Sequence, residues 1–351
     1  METKIFRADT EPLTDIVDAC RELLSRGELV AFPTETVYGL GGNGLNAEAS
    51  KKIYEAKGRP SDNPLILHIG KKEQLYPLVR EVSKKAEKLM DHFWPGPLTL
   101  IFKKASCVPE TTSGGLDTVA VRFPSHPVAN ALLKALDFPV AAPSANLSGR
   151  PSTTRASHVI ADLNGRVAAI IDGGDVPIGV ESTILDMTQD PPVLLRPGYI
   201  SLEALKEAIG EVHVDPAIGK DAIISHSKEV EHPKAPGMKY RHYAPKAPLT
   251  IVCGEPEKVV KAMASAADKT TGILTTDEHL SCYKTGIVFS VGSLKEPDQI
   301  LHNLFDVLRR FDEEEVYRIY AEDLSDADTT GALMNRLLKS AGGSYIPYSE
   351  L

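Results

Sequence analysis

The chain has 351 residues, 39 Lys and Arg against 48 Asp and Glu, a formal charge of −9, and 42% apolar residues, which is enough core material for one large or two medium globular domains. The acidic balance argues against a protein whose main business is coating nucleic acid, although a basic groove on an acidic surface stays open. Cys20, Cys107, Cys253 and Cys282 are widely spaced with no Cys-x-x-Cys, and neither a signal core nor a membrane-length apolar run is present, so the expectation is a soluble cytoplasmic protein without a zinc site or disulfide framework.

The predicted elements alternate between helix and strand. Residues 14–25 have helical periodicity through Ile16, Val17, Ala19, Cys20, Leu23 and Leu24, and Gly27 stops the helix where a C-terminal cap prefers glycine. A buried strand over 29–32 runs into Pro33-Thr34-Glu35-Thr36-Val37-Tyr38-Gly39-Leu40-Gly41, which reads as a turn dense in hydroxyls and glycine. After a helix over 47–56 comes Lys57-Gly58-Arg59-Pro60-Ser61-Asp62-Asn63-Pro64. Its two prolines deny it a helix, so the backbone should arc around something before a strand at 65–69. A planar, permanently charged Arg beside a Lys suits phosphate oxygens.

Further along, a helix at 83–92 and a strand at 98–103 lead to a strand at 118–122 that ends in Arg122. A helix over 127–136 precedes the apolar strand that ends in Pro143-Ser144-Ala145-Asn146. Another helix (157–163) and strand (168–172) follow; then Glu181-Ser182-Thr183 introduces a strand at 184–186, and Arg196-Pro197-Gly198 closes one at 193–195. Five strand ends therefore carry Arg, Lys, Ser, Thr or Asn, and such helix–strand alternation favours an α/β sheet.

Beyond a helix at 201–210, residues 226–248 are rich in Lys, His, Pro and Tyr and too long for an idle loop. Strands at 249–253, 272–274, 286–290 and 316–321 then alternate with helices at 256–267, 297–311 and 330–341, a small Rossmann-like α/β pattern. The expected division is a first domain over 1–205, a linker over 206–247 and a second domain over 248–351.

The motifs Pro-Thr-Glu-Thr-Val-Tyr-Gly-Leu, Lys-Gly-Arg-Pro-x-x-Asn-Pro-Leu, Pro-Ser-Ala-Asn-x-Ser-Gly and Glu-Ser-Thr, in this order, closely resemble the YrdC-like domain of threonylcarbamoyl-AMP synthases, in the two-domain form of that family. The resemblance covers nearly the whole chain. It implies a twisted mixed sheet flanked by helices, followed by the smaller Rossmann-like domain. It also implies a reaction in which L-threonine, bicarbonate and ATP, with Mg²⁺ accompanying ATP, give threonylcarbamoyl-AMP and pyrophosphate for modification of adenosine 37 in tRNA. By the same resemblance Lys57, Arg59, Asn63, Thr118, Ser144, Asn146, Ser152 and Arg196 line the ATP side, with Lys57 and Arg59 acting electrostatically in catalysis. Thr36, His68, Arg122, Ala142 through its backbone, and Ser182 hold threonine.

Adenylating a carboxylate means in-line attack on the α-phosphorus, so positioning and charge neutralisation are the protein's main tasks. Arg122 is the sensible clamp for the threonine carboxylate. No general base is evident; His68 is a candidate, equally readable as a polar contact to substrate. No carboxylate cage for a metal stands out. Lys234 to Pro245 alternates cations with aromatics, and by resemblance it crosses the nucleotide site as a lid, with Tyr240 as its nucleotide contact. Partners implied are the machinery that transfers threonylcarbamoyl to tRNA, with direct RNA contact left open and no membrane.

Taken singly, Ser144 and Asn146 fit an ordinary turn, and Ser182 a strand-end hydroxyl. Three competing readings differ in class. Gly39-Leu40-Gly41-Gly42-Asn43-Gly44 matches a dinucleotide-binding glycine pattern, but six residues separate it from its strand. A double-stranded RNA-binding module without turnover would show salt-dependent RNA affinity. A carbamoyl-adenylate enzyme lacks its expected N-terminal acylphosphatase-like region and zinc fingers here.

Overall fold

The computed structural model describes residues 2–225, 235–236 and 242–351. Tyr240 and half of the cation–aromatic run lie outside the described residues.

Eleven strands form the first sheet: β1 (Lys4–Arg7), β2 (Val30–Phe32), β3 (Gly39–Asn43), β4 (Ile66–His68), β5 (Leu98–Lys103), β6 (Thr118–Arg122), β7 (Val140–Ala141), β8 (Ala169–Asp172), β9 (Thr183–Asp186), β10 (Val193–Arg196) and β11 (His213–Val214). Their spatial order is β1-β8-β2-β3-β7-β4-β6-β5-β9-β10-β11, with parallel and antiparallel ladders mixed. A second sheet contains β12 (Leu249–Cys253), β13 (Thr271–Thr275), β14 (Ile287–Ser290), β15 (Arg318–Glu322) and β16 (Tyr345–Pro347), in the order β14-β13-β15-β12-β16, and its ladders are parallel. The mixed sheet and the Rossmann-like unit are both as expected.

Helices cover the sheets with their apolar stripes. The helix Leu13–Ser25 buries Ile16, Val17, Cys20 and Leu24, which recur at helical spacing. The helix Ala47–Lys57 begins where the Asn46 side chain accepts from the Glu48 and Ala49 amides, and it ends at Gly58, whose φ of 61° is a left-handed value that glycine adopts without penalty. That stop leaves Lys57 on the last helical turn and Arg59 just beyond it.

The run read as a glycine turn is partly a strand. In β3 a Cβ on Gly41 would stand 2.7 Å from both the Phe32 ring and Val140 Cγ1, so the glycines let three strands pack closely. With β3 paired on both edges, the dinucleotide-loop reading has no structural basis. Strands β1, β11 and β16 and the short helices Glu110–Ser113 and Lys220–Ser225 are too brief to carry a periodic signal.

The two sheet units share an apolar cluster. Val37 and Val180 of the first unit pack with Leu301, Leu304 and Phe305 of the helix Pro297–Arg310. Tyr243, at the end of the connector, is buried against Phe305 with ring centroids 5.0 Å apart. No helix among the described residues is long and apolar enough to cross a membrane.

Candidate active site

The sheet's register gathers polar side chains at one edge. β4 and β6 are parallel and place His68 beside Arg122; β5 runs antiparallel to β6, so Thr99 also faces Arg122. β9 starts next to the beginning of β5, and β10 returns antiparallel to it, bringing Ser182 and Arg196 to the same edge. Ala142 follows β7 and bonds through its amide to the Ile66 carbonyl. A cleft opens here, lined by these strand ends.

One end of the cleft is cationic. The Lys57 ammonium is buried and donates to the carbonyls of Ser144 and of Asn146, the latter at 2.6 Å. Burial, then the nearby Arg59, pushes its pKa well below the ordinary lysine value. Arg59 donates to the Asn63 carbonyl at 3.2 Å and the Pro64 carbonyl at 3.1 Å, which fixes the arc of the loop that the prolines require. Arg196 donates to the Ser182 carbonyl (3.0 Å), the Ser182 hydroxyl (3.1 Å) and the Pro236 carbonyl of the connector (3.2 Å). Burial lowers both guanidinium groups to about 10, so they stay charged at neutral pH. Among the described residues Glu181 is the one carboxylate lining this cleft. Burial works to raise it, but Arg336 and Arg196 outweigh burial and hold it below the usual range. A cleft dominated by cations in an acidic chain is built for an anion.

The other end is buried and forked. Arg122, 4% exposed, donates to the Thr36 hydroxyl at 2.8 Å and pairs with Glu35 at 2.7 Å. Ser182 shares a hydrogen bond of 2.7 Å with Thr99, and the His68 Nδ1 lies 3.1 Å from the Ile66 carbonyl.

Two family descriptions match the chain. Residues 22–198 match the one described as telomere recombination, and residues 200–342 the one described as threonylcarbamoyl-AMP synthase, C-terminal domain. A threonylcarbamoyl-AMP synthase of Bacillus subtilis is 49% identical over 327 residues, 92% of each chain. The chain belongs to the threonylcarbamoyl-AMP synthase family. The Pyrococcus abyssi threonylcarbamoyl-AMP synthase is 47% identical over 325 residues, 91% of this chain and 92% of that one. The crystal structure of P. abyssi Sua5 complexed with L-threonine superposes with a TM-score of 0.90 at 44% identity and 99% coverage of both chains.

Of the residues assigned from the family motifs, Lys57, Arg59, His68, Arg122, Ala142, Ser144, Asn146, Ser182 and Arg196 line the cleft together. Thr36 stands behind Arg122. Asn63 supports Arg59 through its carbonyl, and its buried Oδ1 has no hydrogen-bond partner among the described residues. Thr118 is buried at the start of β6, and the Ser152 hydroxyl donates to Glu181; neither is among the lining residues. Sequence reasoning gave no role to Glu35, Glu181 or Tyr243. All three stand inside quoted motifs, so motif membership was the available signal; the partners that give them meaning are far away in sequence.

Burial, then Arg122, holds His68 down to about 3, so the imidazole is neutral at physiological pH and a poor store for a proton. This disfavours it as the general base. The depressed value has a consequence for stability. Between about pH 3 and 6.5 the unfolded chain binds a proton at His68 that the native chain does not, so stability falls as pH drops through this window. His68→Gln is therefore expected to show a smaller loss of Tm between pH 7.5 and pH 5 than the parent; an equal loss would overturn the assignment.

Proposed function

We propose that this chain condenses L-threonine, bicarbonate and ATP to threonylcarbamoyl-AMP and pyrophosphate, acting as a nucleotidyltransferase that supplies the activated group for N6-threonylcarbamoylation of adenosine 37 in tRNA. The observation that carries this reading is one cleft with Lys57, Arg59 and Arg196 at one end and the buried Arg122 fork at the other. The family relationship supports the same chemistry.

In the first step the neutral threonine amine attacks the bicarbonate carbon, forming the N–C bond of N-carboxythreonine and releasing water. In the second, the new carbamate oxygen attacks the α-phosphorus in line, and the bond to pyrophosphate breaks. Lys57, Arg59 and Arg196 neutralise charge on the phosphates, while Arg122 orients the threonine carboxylate. Ser144 and Asn146 frame the nucleotide, and Thr36, His68, Ala142 and Ser182 the amino acid. No covalent enzyme intermediate is required. Mg²⁺ enters as part of the MgATP substrate: no cluster of metal-ligating side chains occurs among the described residues, and both Glu181 oxygens are engaged by Ser152 and Arg336. Described residues of the connector reach the site, the carbonyl of Pro236 bonding to Arg196 and Tyr243 lining the cleft, which supports its reading as a lid. Closure would protect the labile mixed anhydride from water. The product's chemistry calls for a transferase that hands the threonylcarbamoyl group to tRNA, and the cytoplasm is the compartment proposed.

Pyrophosphate release from MgATP, with and without L-threonine and with and without bicarbonate, tests the reading. Release is expected only when both are present. Release with neither would indicate a plain nucleotide hydrolase, and no release would favour RNA binding without turnover.

A further inference from the structure

The second sheet unit sends two buried guanidinium groups against the back of the cleft. Arg309, in the last turn of the helix Pro297–Arg310, is 4% exposed. It donates to the Pro151 carbonyl at 3.0 and 2.6 Å, to the Ser152 carbonyl at 3.3 Å, and to the two oxygens of Asp162 at 3.3 and 2.8 Å. Asp162 in turn accepts from the Leu147 amide at 3.0 Å and from Arg150 at 2.5 Å. Residues 147–152 follow directly on Asn146, and Ser148, Gly149 and Arg150 line the cleft. Arg336, in the helix Ala332–Ser340, has no exposed surface and donates to Glu181 at 3.0 Å. The other Glu181 oxygen accepts from the Ser152 hydroxyl, so Ser152 ties the two contacts together.

We propose that Arg309 and Arg336 are positioning residues for the nucleotide half-reaction, through which the second unit fixes the cleft wall formed by residues 146–152 and Glu181. This rests on the function proposed above. Three observations set these groups apart from ordinary interface ion pairs. Elsewhere the two units meet through an apolar cluster, which costs less than burying charge. Behind the wall, by contrast, the contact is made of charge with almost no exposed surface, whereas Arg155 and His158, which pair with Asp306 across the units, keep 43% and 10% of their side chains exposed. Of the acceptors in the first unit, Glu181 lines the cleft, Pro151 and Ser152 belong to the irregular loop that does, and Asp162, in the helix Ala156–Leu163, holds that loop through Leu147 and Arg150, so the loop's Pro151 and Ser152 carbonyls take their donor from another folding unit. Lastly, the threonine-side residues Arg122 and Thr36 bond to neither arginine, so the two substrates should respond differently when the clamp is weakened.

The test uses the full chain with Arg309→Lys, which keeps a cation opposite Asp162 but loses the fork, alongside Arg309→Ala, Arg336→Lys and the exposed control Arg318→Ala. Calorimetry with α,β-methylene ATP and, separately, L-threonine gives affinities; hydrogen exchange reports on amides 147–152. Arg309→Lys is expected to speed exchange at 147–152 and to weaken the nucleotide analogue about 10- to 100-fold, the scale of a misplacement near 1 Å, with threonine affinity changed by less than about twofold. Arg336→Lys should weaken the analogue in the same selective manner, and Arg318→Ala should change neither affinity. Unchanged nucleotide affinity in the lysine variants would overturn the proposal, as would equal loss of both ligands with a lowered Tm. A parent chain that binds threonine but not the analogue would instead overturn the function proposed above.

Discussion

Replacing Lys57 with methionine is expected to lower kcat/KM for ATP about 10²- to 10³-fold while leaving threonine affinity nearly unchanged, the usual cost of losing one preorganised charge-stabilising donor. The side chain fits the space, since methionine is unbranched and nearly as long, so the change deletes charge more than volume. It also leaves the Ser144 and Asn146 carbonyls without their donor, which loosens the nucleotide wall. A second signature separates this electrostatic role from a merely structural one. Burial and Arg59 depress the Lys57 pKa in the unliganded cleft, and an arriving polyphosphate raises it again. As pH rises past the depressed value of the unliganded cleft, nucleotide binding should therefore take up protons, visible as a binding enthalpy that depends on the ionisation enthalpy of the buffer. Lys57→Met should lack that part of the uptake. A kcat/KM loss below about tenfold, or an identical buffer dependence, would show that Lys57 serves only to hold the loop.

Much of the fold is local in origin and could be read locally. Helices such as Leu13–Ser25 and Pro297–Arg310 repeat their apolar residues at helical spacing, and β5 and β12 lie where their apolar runs put them. β3 could not be read that way, because its glycines answer to the Phe32 ring and to Val140, neither of which is a sequence neighbour. At the site, residues at strand ends were legible because a sheet edge collects them from many segments at once. The electrostatic frame behind them was not. Arg336 meets Glu181 across 155 positions and Arg309 meets Asp162 across 147, and charged residues on a helix normally read as its solvated face. The second unit thus places these contacts on helix faces, while Ser290 and Ser293 near its strand ends donate to the nearby carboxylates of Asp277 and Glu278. Removing the unit would leave Asp162 and Glu181 without Arg309 and Arg336 and would uncover Val37 and Val180.

Arg122→Gln should weaken L-threonine binding by roughly 10²-fold, about the worth of one charge-assisted hydrogen-bonded contact at roughly 3 kcal/mol, and should hardly change nucleotide affinity. The single variant confounds binding with folding, however. Glu35 is also buried, and deleting the partner of a buried ion pair costs about 3–5 kcal/mol because a desolvated charge is left alone. Glu35 also accepts from the Ser125 amide, so it cannot simply turn away to water. The paired variant Glu35→Gln with Arg122→Gln removes both charges and keeps two side chains that can hydrogen-bond to each other. Stability should return most of the way to that of the parent, while threonine affinity stays low, because the amide pair offers no cation to a carboxylate. Glu35→Gln alone makes the complementary point. With the competing carboxylate neutralised, Arg122 faces an incoming threonine carboxylate with less of its charge already spent, so affinity should hold or tighten. If the double variant recovered threonine binding together with stability, Arg122 would be a structural ion-pair partner and the carboxylate would have to be held elsewhere in the cleft. If both Glu35→Gln and Arg122→Gln weakened threonine equally, the pair would act as one rigid frame, and the fork itself would not be the clamp.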